Sequence, residues 1–147
     1  MSERKVGTIN NGVVVDHITP GKGTEISKIL GLDSLGEFVV IASNLESKKS
    51  GKKDLIKIEG KELSQEELNK IALISKDSTI NIIRNSSVFK KYPVVVPDIV
   101  ENILMCNNPY CISNNEKISS KFYCLDKSKV TLKCHYCEKK QNEIKIK

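Results

Sequence analysis

The chain has 147 residues, of which 39% are hydrophobic and 29% charged, and its formal net charge is +6. This length allows one medium domain or two small ones, and no apolar run is long enough to cross a bilayer. The N-terminal segment MSERKVGTIN lacks the apolar core of a signal peptide. We therefore expect a cytoplasmic protein without a membrane partner.

The positive charge raises the question of nucleic-acid binding. All but two of the 24 basic residues are lysines, aromatic residues make up 5% of the chain, and tryptophan is absent. Proteins that bind bases or phosphates favour arginine and stacking aromatic side chains. The composition therefore favours a solvated, lysine-rich surface, and a nucleic-acid-binding zinc-ribbon protein is the alternative function.

The first half of the chain predicts strands that alternate with helices. The β-branched run Asn11 to Ile18 predicts a strand, and Thr24 is the expected N-cap of a helix that ends at Gly31. A strand is expected next at Glu37 to Ser43. A polar loop at residues 44–53 then leads to a third strand at Asp54 to Glu59.

A capping box marks the second helix. Ser64 is its expected N-cap, and Glu67, three residues later, is the reciprocal partner. Strands at Thr79 to Arg84 and Val88 to Tyr92 follow. The order βαββαβ predicts an α+β domain of the ferredoxin-like type, in which both helices cover one face of an antiparallel sheet.

Side-chain alternation indicates which residues lie on the sheet face without helices. The apolar strand positions alternate with Asp16, Lys57 and Asn81, so we expect these three side chains on the uncovered face. The first strand lies between the third and fourth in this topology, and the three residues should therefore converge. Strict alternation sends His17 to the other face unless the strand ends or twists at Asp16.

Four cysteines form the strongest pattern in the sequence. Four residues separate Cys106 from Cys111, two separate Cys134 from Cys137, and 22 lie between the pairs. Two short turns of this kind can present four thiolates to one tetrahedral Zn²⁺, which gives a closed, structural site. Disulfides and an iron-sulfur centre are alternatives that the compartment and the spacing disfavour.

Prolines separate this cysteine region from the rest of the chain. Pro93 and Pro97 cannot donate to a continuing strand ladder, so we expect one domain at residues 1–97 and a small, mainly β zinc domain at residues 98–147. In the second domain we expect Cys124 to be a buried strand residue and His135 to point outward. Neither is a predicted metal ligand.

The sequence contains no glycine-rich phosphate loop, no nucleophile elbow and no catalytic partner for His17. From the residues alone, His17 is either a phosphate-binding imidazole or a hydrogen-bonded histidine at a strand end. Lys57 and Lys91 are either phosphate ligands or solvated lysines. We expect a non-catalytic protein.

Five segments, together with the zinc pattern and the βαββαβ order, resemble the family of aspartate carbamoyltransferase regulatory chains. They are VVVDHI, GKKDLIKIE, NIIRN, CNNPYCIS and LKCHYCEK. The resemblance implies an allosteric domain that binds nucleoside triphosphates such as CTP and ATP, with UTP as a further candidate. It also implies one structural Zn²⁺, a catalytic-chain partner, a regulatory-chain homodimer, control of pyrimidine biosynthesis and no nucleic-acid partner.

The resemblance carries residue roles to particular positions. The nucleotide pocket of the family corresponds here to Ile9, Asp16, His17, Lys57, Asn81, Ile83, Val88 and Lys91. Contact with the catalytic chain is implied for Asn108, Glu138 and Lys139. Ser86 stands where we expect a larger side chain near the base, so the sequence does not decide which nucleotide is preferred.

Overall fold

A computed structural model describes residues 9–48 and 51–147 of the chain. The segment that bears on a signal peptide therefore lies largely outside the described residues, as do Lys49 and Ser50 of the expected loop. The chain divides into two compact units, Met1–Val94 and Val95–Lys147. No helix in the described part of the chain is long and apolar enough to span a membrane.

The N-terminal unit is an antiparallel sheet with two helices. Its elements are β1 (Gly12–Ile18), α1 (Gly23–Leu30), a 3-10 turn (Leu32–Ser34), β2 (Val39–Ser47), β3 (Gly51–Glu59), α2 (Gln65–Ile74), β4 (Thr79–Arg84) and β5 (Ser87–Pro93). The strand order is β2-β3-β1-β4-β5. Its first four strands have the predicted ferredoxin-like arrangement, and β5 extends the sheet beyond β4.

The core of this unit lies on one face of the sheet. α1 packs against β2, β3 and α2. The alternating strand positions that are at most 2% exposed are Val13, Val15, Ile56, Ile58 and Ile80. α2 begins at the predicted capping box, where Ser64 Oγ accepts from Glu67 N at 3.1 Å and Glu67 Oε1 accepts from Ser64 N at 3.0 Å.

The predicted N-cap of α1 is wrong. The helix begins at Gly23 after Lys22, and no side chain of the N-cap residue accepts a hydrogen bond. The carboxylate of Asp54, which is 1% exposed, instead accepts from the backbone N–H of Gly21 and of Gly23, both at 3.0 Å. A distant carboxylate on β3 therefore replaces Thr24. The helix ends at Gly31 as predicted, with a φ of 65° that glycine adopts without strain.

The loop expected at residues 44–53 is also largely wrong. β2 continues to Ser47 and β3 already begins at Gly51. Asn44 has a φ of 58° at a register shift between the two strands, and its N–H donates to Asp54 Oδ1 at 2.9 Å. This bulge breaks the alternation, and the hairpin beyond it is mostly exposed, so its polar sequence looks like a loop.

The C-terminal unit is a small, mainly β structure, as predicted. It contains β6 (Ile99–Glu101), α3 (Ile112–Asn115), β7 (Lys121–Asp126), β8 (Thr131–Cys134) and β9 (Lys140–Gln141). The strands form one antiparallel sheet in chain order. Phe122, Leu132 and Leu104 are completely buried beside the cysteines, so the apolar core of this unit is small.

Candidate ligand site and metal centre

The sheet face opposite the buried core, here called the open face, carries a cross-strand row of polar side chains. Val14 pairs with Lys57 on β3 and with Asn81 on β4, and Asn81 pairs in turn with Lys91 on β5. Directly opposed residues of antiparallel strands lie on the same face. The row from Lys57 to Lys91 therefore spans three strand spacings, about 14 Å.

The polar members of this row lack protein partners within the described residues. Asn81 is only 9% exposed, yet its side-chain amide makes no hydrogen bond within residues 9–48 and 51–147. Lys57 is half-buried and Lys91 is exposed, and neither forms an ion pair in that part of the chain. The Asn81 amide can therefore donate to and accept from a ligand. The row is therefore suited to a polar ligand.

One end of the open face is apolar. Ile83, which is 8% exposed, lies opposite Gly12 on β1 and opposite Val88 on β5. Val88 is 60% exposed, and Ile9, three residues before the start of β1, is buried. Ile83 and Val88 can cover an apolar or aromatic ligand group next to the polar row.

The chain that enters β1 is fixed across this apolar end. The carboxylate oxygens of Glu59 accept from the backbone N–H of Asn10 and of Asn11, at 3.0 and 2.9 Å. Ser86 Oγ donates to Asn10 Oδ1 at 2.6 Å. These contacts fix the position of the residues that follow Ile9. They also give Ser86 a structural role that its small side chain did not suggest.

A β-bulge shapes the opposite end of the open face. His17 has a φ of 56°, and the register of β1 with β3 shifts between Val15 and Ile18. The Nδ1 atom of His17 lies 3.0 Å from Oγ1 of Thr79, which pairs with Asp16. The bulge thus brings His17 to the same face as Asp16. This removes the conflict that strict alternation predicts.

Asp16 is held by a lysine that sequence reasoning missed. Lys53 Nζ lies 2.9 Å from Asp16 Oδ1, and the backbone N–H of His17 donates to the same oxygen at 2.6 Å. Burial acts to raise the pKa of Asp16, but these two contacts outweigh it and lower the pKa from its usual value of 3.8. The carboxylate is therefore charged at neutral pH.

The four predicted zinc ligands converge in the C-terminal unit. The Sγ atoms of Cys106, Cys111, Cys134 and Cys137 all lie within 4.8 Å of one another. Two of the sulfur pairs, Cys106 with Cys137 and Cys111 with Cys134, are 3.6 Å apart. Tetrahedral Zn²⁺ with Zn–S bonds of about 2.3 Å separates its sulfurs by about 3.8 Å. The donor set fits one structural zinc ion.

The ionisation of the thiols supports this fit. Burial raises the pKa of Cys106 to about 12, and the neighbouring sulfurs of Cys137 and Cys134 add to the effect. Burial also acts against the Cys137 thiolate, but the N–H of Lys139, the Cys106 thiol and the Asn108 side chain lower its pKa to about 7. Four closely spaced thiolates repel one another, whereas a divalent cation binds the deprotonated sulfurs, releases their protons and compensates their charge. Zn²⁺ bound by these four residues would supply structural cross-linking.

Polar side chains hold the first cysteine turn in place. Asn114 Nδ2 donates to the carbonyl oxygens of Cys106 and Asn108, each at 2.9 Å. Gln141, which is 7% exposed, accepts from Asn107 N at 3.0 Å and donates to the carbonyl of Met105 at 3.3 Å. Sequence reasoning missed both residues, although an asparagine three residues after Cys111, close to the cysteine turn, was a usable indication of Asn114.

Two other residues near the cysteines lie outside the group of four. Cys124 lies on β7 as predicted, but it is half-buried and not buried as expected. The raised pKa of its thiol follows mainly from burial. His135 is exposed, and its Nδ1 lies 2.6 Å from the hydroxyl of Tyr123.

The three residues implied at a partner interface lie in the two cysteine turns. The side-chain oxygen of Asn108 accepts a hydrogen bond from Tyr110 N at 3.1 Å, and the Asn108 side chain also hydrogen-bonds with the sulfur of Cys137. Glu138 is exposed, has a φ of 63° and lies 3.9 Å from Lys133 Nζ. Lys139 is also exposed.

Comparisons with known proteins identify both units. A family model described as the aspartate carbamoyltransferase regulatory chain, allosteric domain, matches residues 4–95. A model described as the metal binding domain of the same regulatory chain matches residues 98–147. These matches favour the regulatory interpretation over the nucleic-acid alternative.

Curated relatives match over nearly the full chain. A protein named aspartate carbamoyltransferase regulatory chain from Pyrococcus horikoshii is 49% identical over 148 residues, which covers 99% of this chain and 97% of the relative. Relatives of the same name from Pyrococcus abyssi and Methanocaldococcus jannaschii are 47% and 49% identical over 148 and 144 residues. These alignments cover 99% and 98% of this chain, and 97% and 96% of the relatives.

Proposed function

The chain belongs to the family of aspartate carbamoyltransferase regulatory chains, and from this membership we propose that it binds nucleoside triphosphates on its open face. The chain is a non-catalytic regulatory subunit whose partner is a catalytic chain. CTP and ATP are the proposed effectors, with UTP as a further candidate, and the regulated pathway is cytoplasmic pyrimidine biosynthesis. We assign the nucleotide domain to residues 1–97 and the zinc domain to residues 98–147.

The observation that carries the nucleotide proposal is the polar row that crosses the open face. Lys57, Asn81 and Lys91 lie in register without partners in the described residues, beside the apolar Ile83 and Val88. Lysine ammonium groups bind phosphate as point charges, and an amide can pair with a base edge. Apolar and cationic groups on one face suit a base joined to phosphates.

The other residues of the proposed pocket complete this arrangement. His17 and Asp16 lie together at the bulge, where the carboxylate can accept from ribose hydroxyls and the imidazole can donate to phosphate. Ile9 is positioned indirectly by Glu59, whose carboxylate accepts from the backbone N–H groups of the next two residues, Asn10 and Asn11. It contributes main-chain or apolar contacts at the base end.

Exposed apolar residues support two protein interfaces. β2 is an edge strand, and Phe38, Ile41 and Leu45 on or beside it are 46%, 39% and 36% exposed, which suits pairing of two regulatory chains. In the C-terminal unit, Tyr110 is 89% exposed within the first cysteine turn. We propose that this turn docks on the catalytic chain together with Asn108, Glu138 and Lys139, and that zinc keeps the turns in shape.

Regulation follows if a nucleotide binds one quaternary state of the complex better than another. Coupling of this kind is typically about 1 to 3 kcal/mol. The sign of the response to each nucleotide depends on differential contacts in the two states.

The direct test of the ligand is calorimetric titration of the zinc-loaded chain with CTP and ATP. We expect both nucleotides to bind, and Lys57→Ala to weaken binding about tenfold or more through loss of a charge-assisted contact. Lys28→Ala is the matched control, because Lys28 is an exposed lysine on α1 outside the proposed pocket. Equal losses in the two variants, or no binding by the wild type, would contradict the proposal.

A further inference from the structure

A cavity opens where β1 ends and β4 begins. Its volume is about 500 Å³, and its lining includes His17, Thr19, Lys52, Lys76, Asp77 and Thr79. Neither the family resemblance nor the open-face row assigns a role to Lys76. The cavity adjoins the proposed pocket, because His17 belongs to both and its ring lies 3.0 Å from Oγ1 of Thr79, which also lines the cavity.

The charges that line this cavity are predominantly positive. Lys76 and Lys52 approach it from two different segments, although Lys52 is paired with Glu46 at 2.6 Å, and His17 adds an imidazole. Asp77 is the acidic residue among the lining groups of the described chain. Its contact with Lys76 Nζ is 3.3 Å long and 78% of its side chain is exposed, so solvent screens this pair of sequence neighbours. Lys76 remains able to bind an anion.

The two ends of the open face differ in polarity, and the polar end lies next to this cavity. The Gly12 end carries Ile83 and Val88, whereas the Asp16 end carries His17 and Lys53. Gly12 and Asp16 are four residue steps apart along an extended strand, a distance of about 14 Å. A ligand with an apolar base at one end and an anionic chain at the other would lie along β1 with its anionic end toward the cavity.

The hydrogen bond of His17 fixes which imidazole atom is left for a ligand. Nδ1 is engaged with Thr79 Oγ1 at 3.0 Å, so Nε2 is the ring nitrogen that remains. This orientation is maintained by the bulge, in which His17 has a φ of 56°. The imidazole thus stands between the open face and the cavity and can contact the phosphate chain where it passes from one to the other.

We propose that this cavity receives the terminal phosphates of the bound nucleoside triphosphate and that Lys76 is a binding residue for them. The inference rests on the proposed nucleotide function and adds a residue that sets the preference for triphosphates over monophosphates. The residues of the open face bind base, ribose and first phosphate. Lys76 contacts the end of the phosphate chain, which a monophosphate lacks.

The test compares the affinities of the full-length, zinc-loaded chain for CTP and CMP by calorimetry. Lys76→Ala is expected to weaken CTP binding about tenfold, the usual effect of losing one hydrogen bond to a charged group, and to change CMP binding less than twofold. Lys76→Arg keeps the charge and should keep most of the preference for CTP. Lys28→Ala removes the same charge outside the cavity and should leave both affinities unchanged.

The outcomes separate the role of Lys76 from the nucleotide binding on which that role rests. A CTP affinity that Lys76→Ala leaves unchanged, or equal losses for CTP and CMP, would overturn the role of Lys76 while the nucleotide site stands. Losses of the same size in Lys28→Ala would do so as well, because they would reflect net charge alone. Absence of CTP binding by the wild type would overturn the nucleotide function and this inference together.

Discussion

Lys53 determines the charge state and the orientation of Asp16 on the open face. The two side chains are each 18% exposed and lie 2.9 Å apart. The pKa of Asp16 is lowered below 3.8 in the folded chain although burial acts in the opposite direction. The stability from this contact is therefore complete above the unfolded-state value of 3.8 and is lost as the pH falls through the lowered folded-state value.

This contact can be tested by NMR titration of the Asp16 carboxyl. Lys53→Gln removes the hydrogen bond and the charge, so the pKa of Asp16 should rise, since burial then acts with less opposition. Lys52→Gln is the matched control, because Lys52 lies 2.6 Å from Glu46 instead. A shift that is equal in the two variants would show that general charge loss, and not the Lys53 contact, sets this pKa.

At the scale of single residues, the sequence predicted on which face of the sheet a side chain lies, but not which residues that side chain contacts. Alternation and strand order placed Asp16, Lys57 and Asn81 on one face, and the observed register agrees. The partners of these residues were not predictable in the same way. Thr79 becomes a partner of His17 through the bulge, beside which Lys53 contacts Asp16, and a left-handed φ at a histidine leaves no pattern in the sequence.

Asp54 joins three elements of the N-terminal unit. Its carboxylate, buried beneath α1, accepts from Gly21 and Gly23 at the start of the helix and from Asn44 at the bulge of β2. A Cβ at Gly23 would lie 3.0 Å from Asp54 Oδ2, so the helix start must approach this closely for the bond to form. One side chain thus positions a helix terminus and a strand irregularity.

Asp54→Asn should destabilise the chain by about 2 to 3 kcal/mol. An asparagine has one carbonyl oxygen where three backbone N–H groups need two acceptor oxygens, and its amide nitrogen would face a donor. Urea unfolding followed by circular dichroism measures the loss. Asp33→Asn, at an exposed aspartate of the 3-10 turn, is the control and should change the free energy of unfolding by less than about 0.5 kcal/mol. Equal effects would contradict this role of Asp54.

At the scale of elements, local patterns succeeded where the interactions are local. The capping box at Ser64 and the glycine stop at Gly31 are formed by neighbours in the sequence, and both occur as predicted. The predicted N-cap of α1 was wrong because the side chain that caps the helix, Asp54, is 31 residues away from Gly23 in the sequence. The loop predicted between β2 and β3 was wrong because the exposed ends of these strands bury little apolar surface. They therefore lack the alternation of apolar and polar residues that marks a strand.

The two units of the molecule depend on different sources of stability. The N-terminal unit has a continuous apolar core along its sheet, whereas the C-terminal unit combines few buried apolar side chains with four clustered thiols. Zinc binding of order 10 kcal/mol would compensate for this small core. The cysteine spacing predicted the cluster because each pair lies within a single turn, so no long-range packing had to be foreseen.

We propose that the chain forms a zinc-dependent complex with a catalytic chain and transmits nucleotide binding to it. The most direct measurement is the mass of the mixture with the host's aspartate carbamoyltransferase catalytic chain, with and without a zinc chelator. It is combined with aspartate saturation curves in CTP and in ATP. We expect a large complex that chelation dissociates, with curves that shift with nucleotide and are unresponsive in Lys57→Ala. No complex in the presence of zinc, or unshifted curves when CTP is bound, would contradict the account.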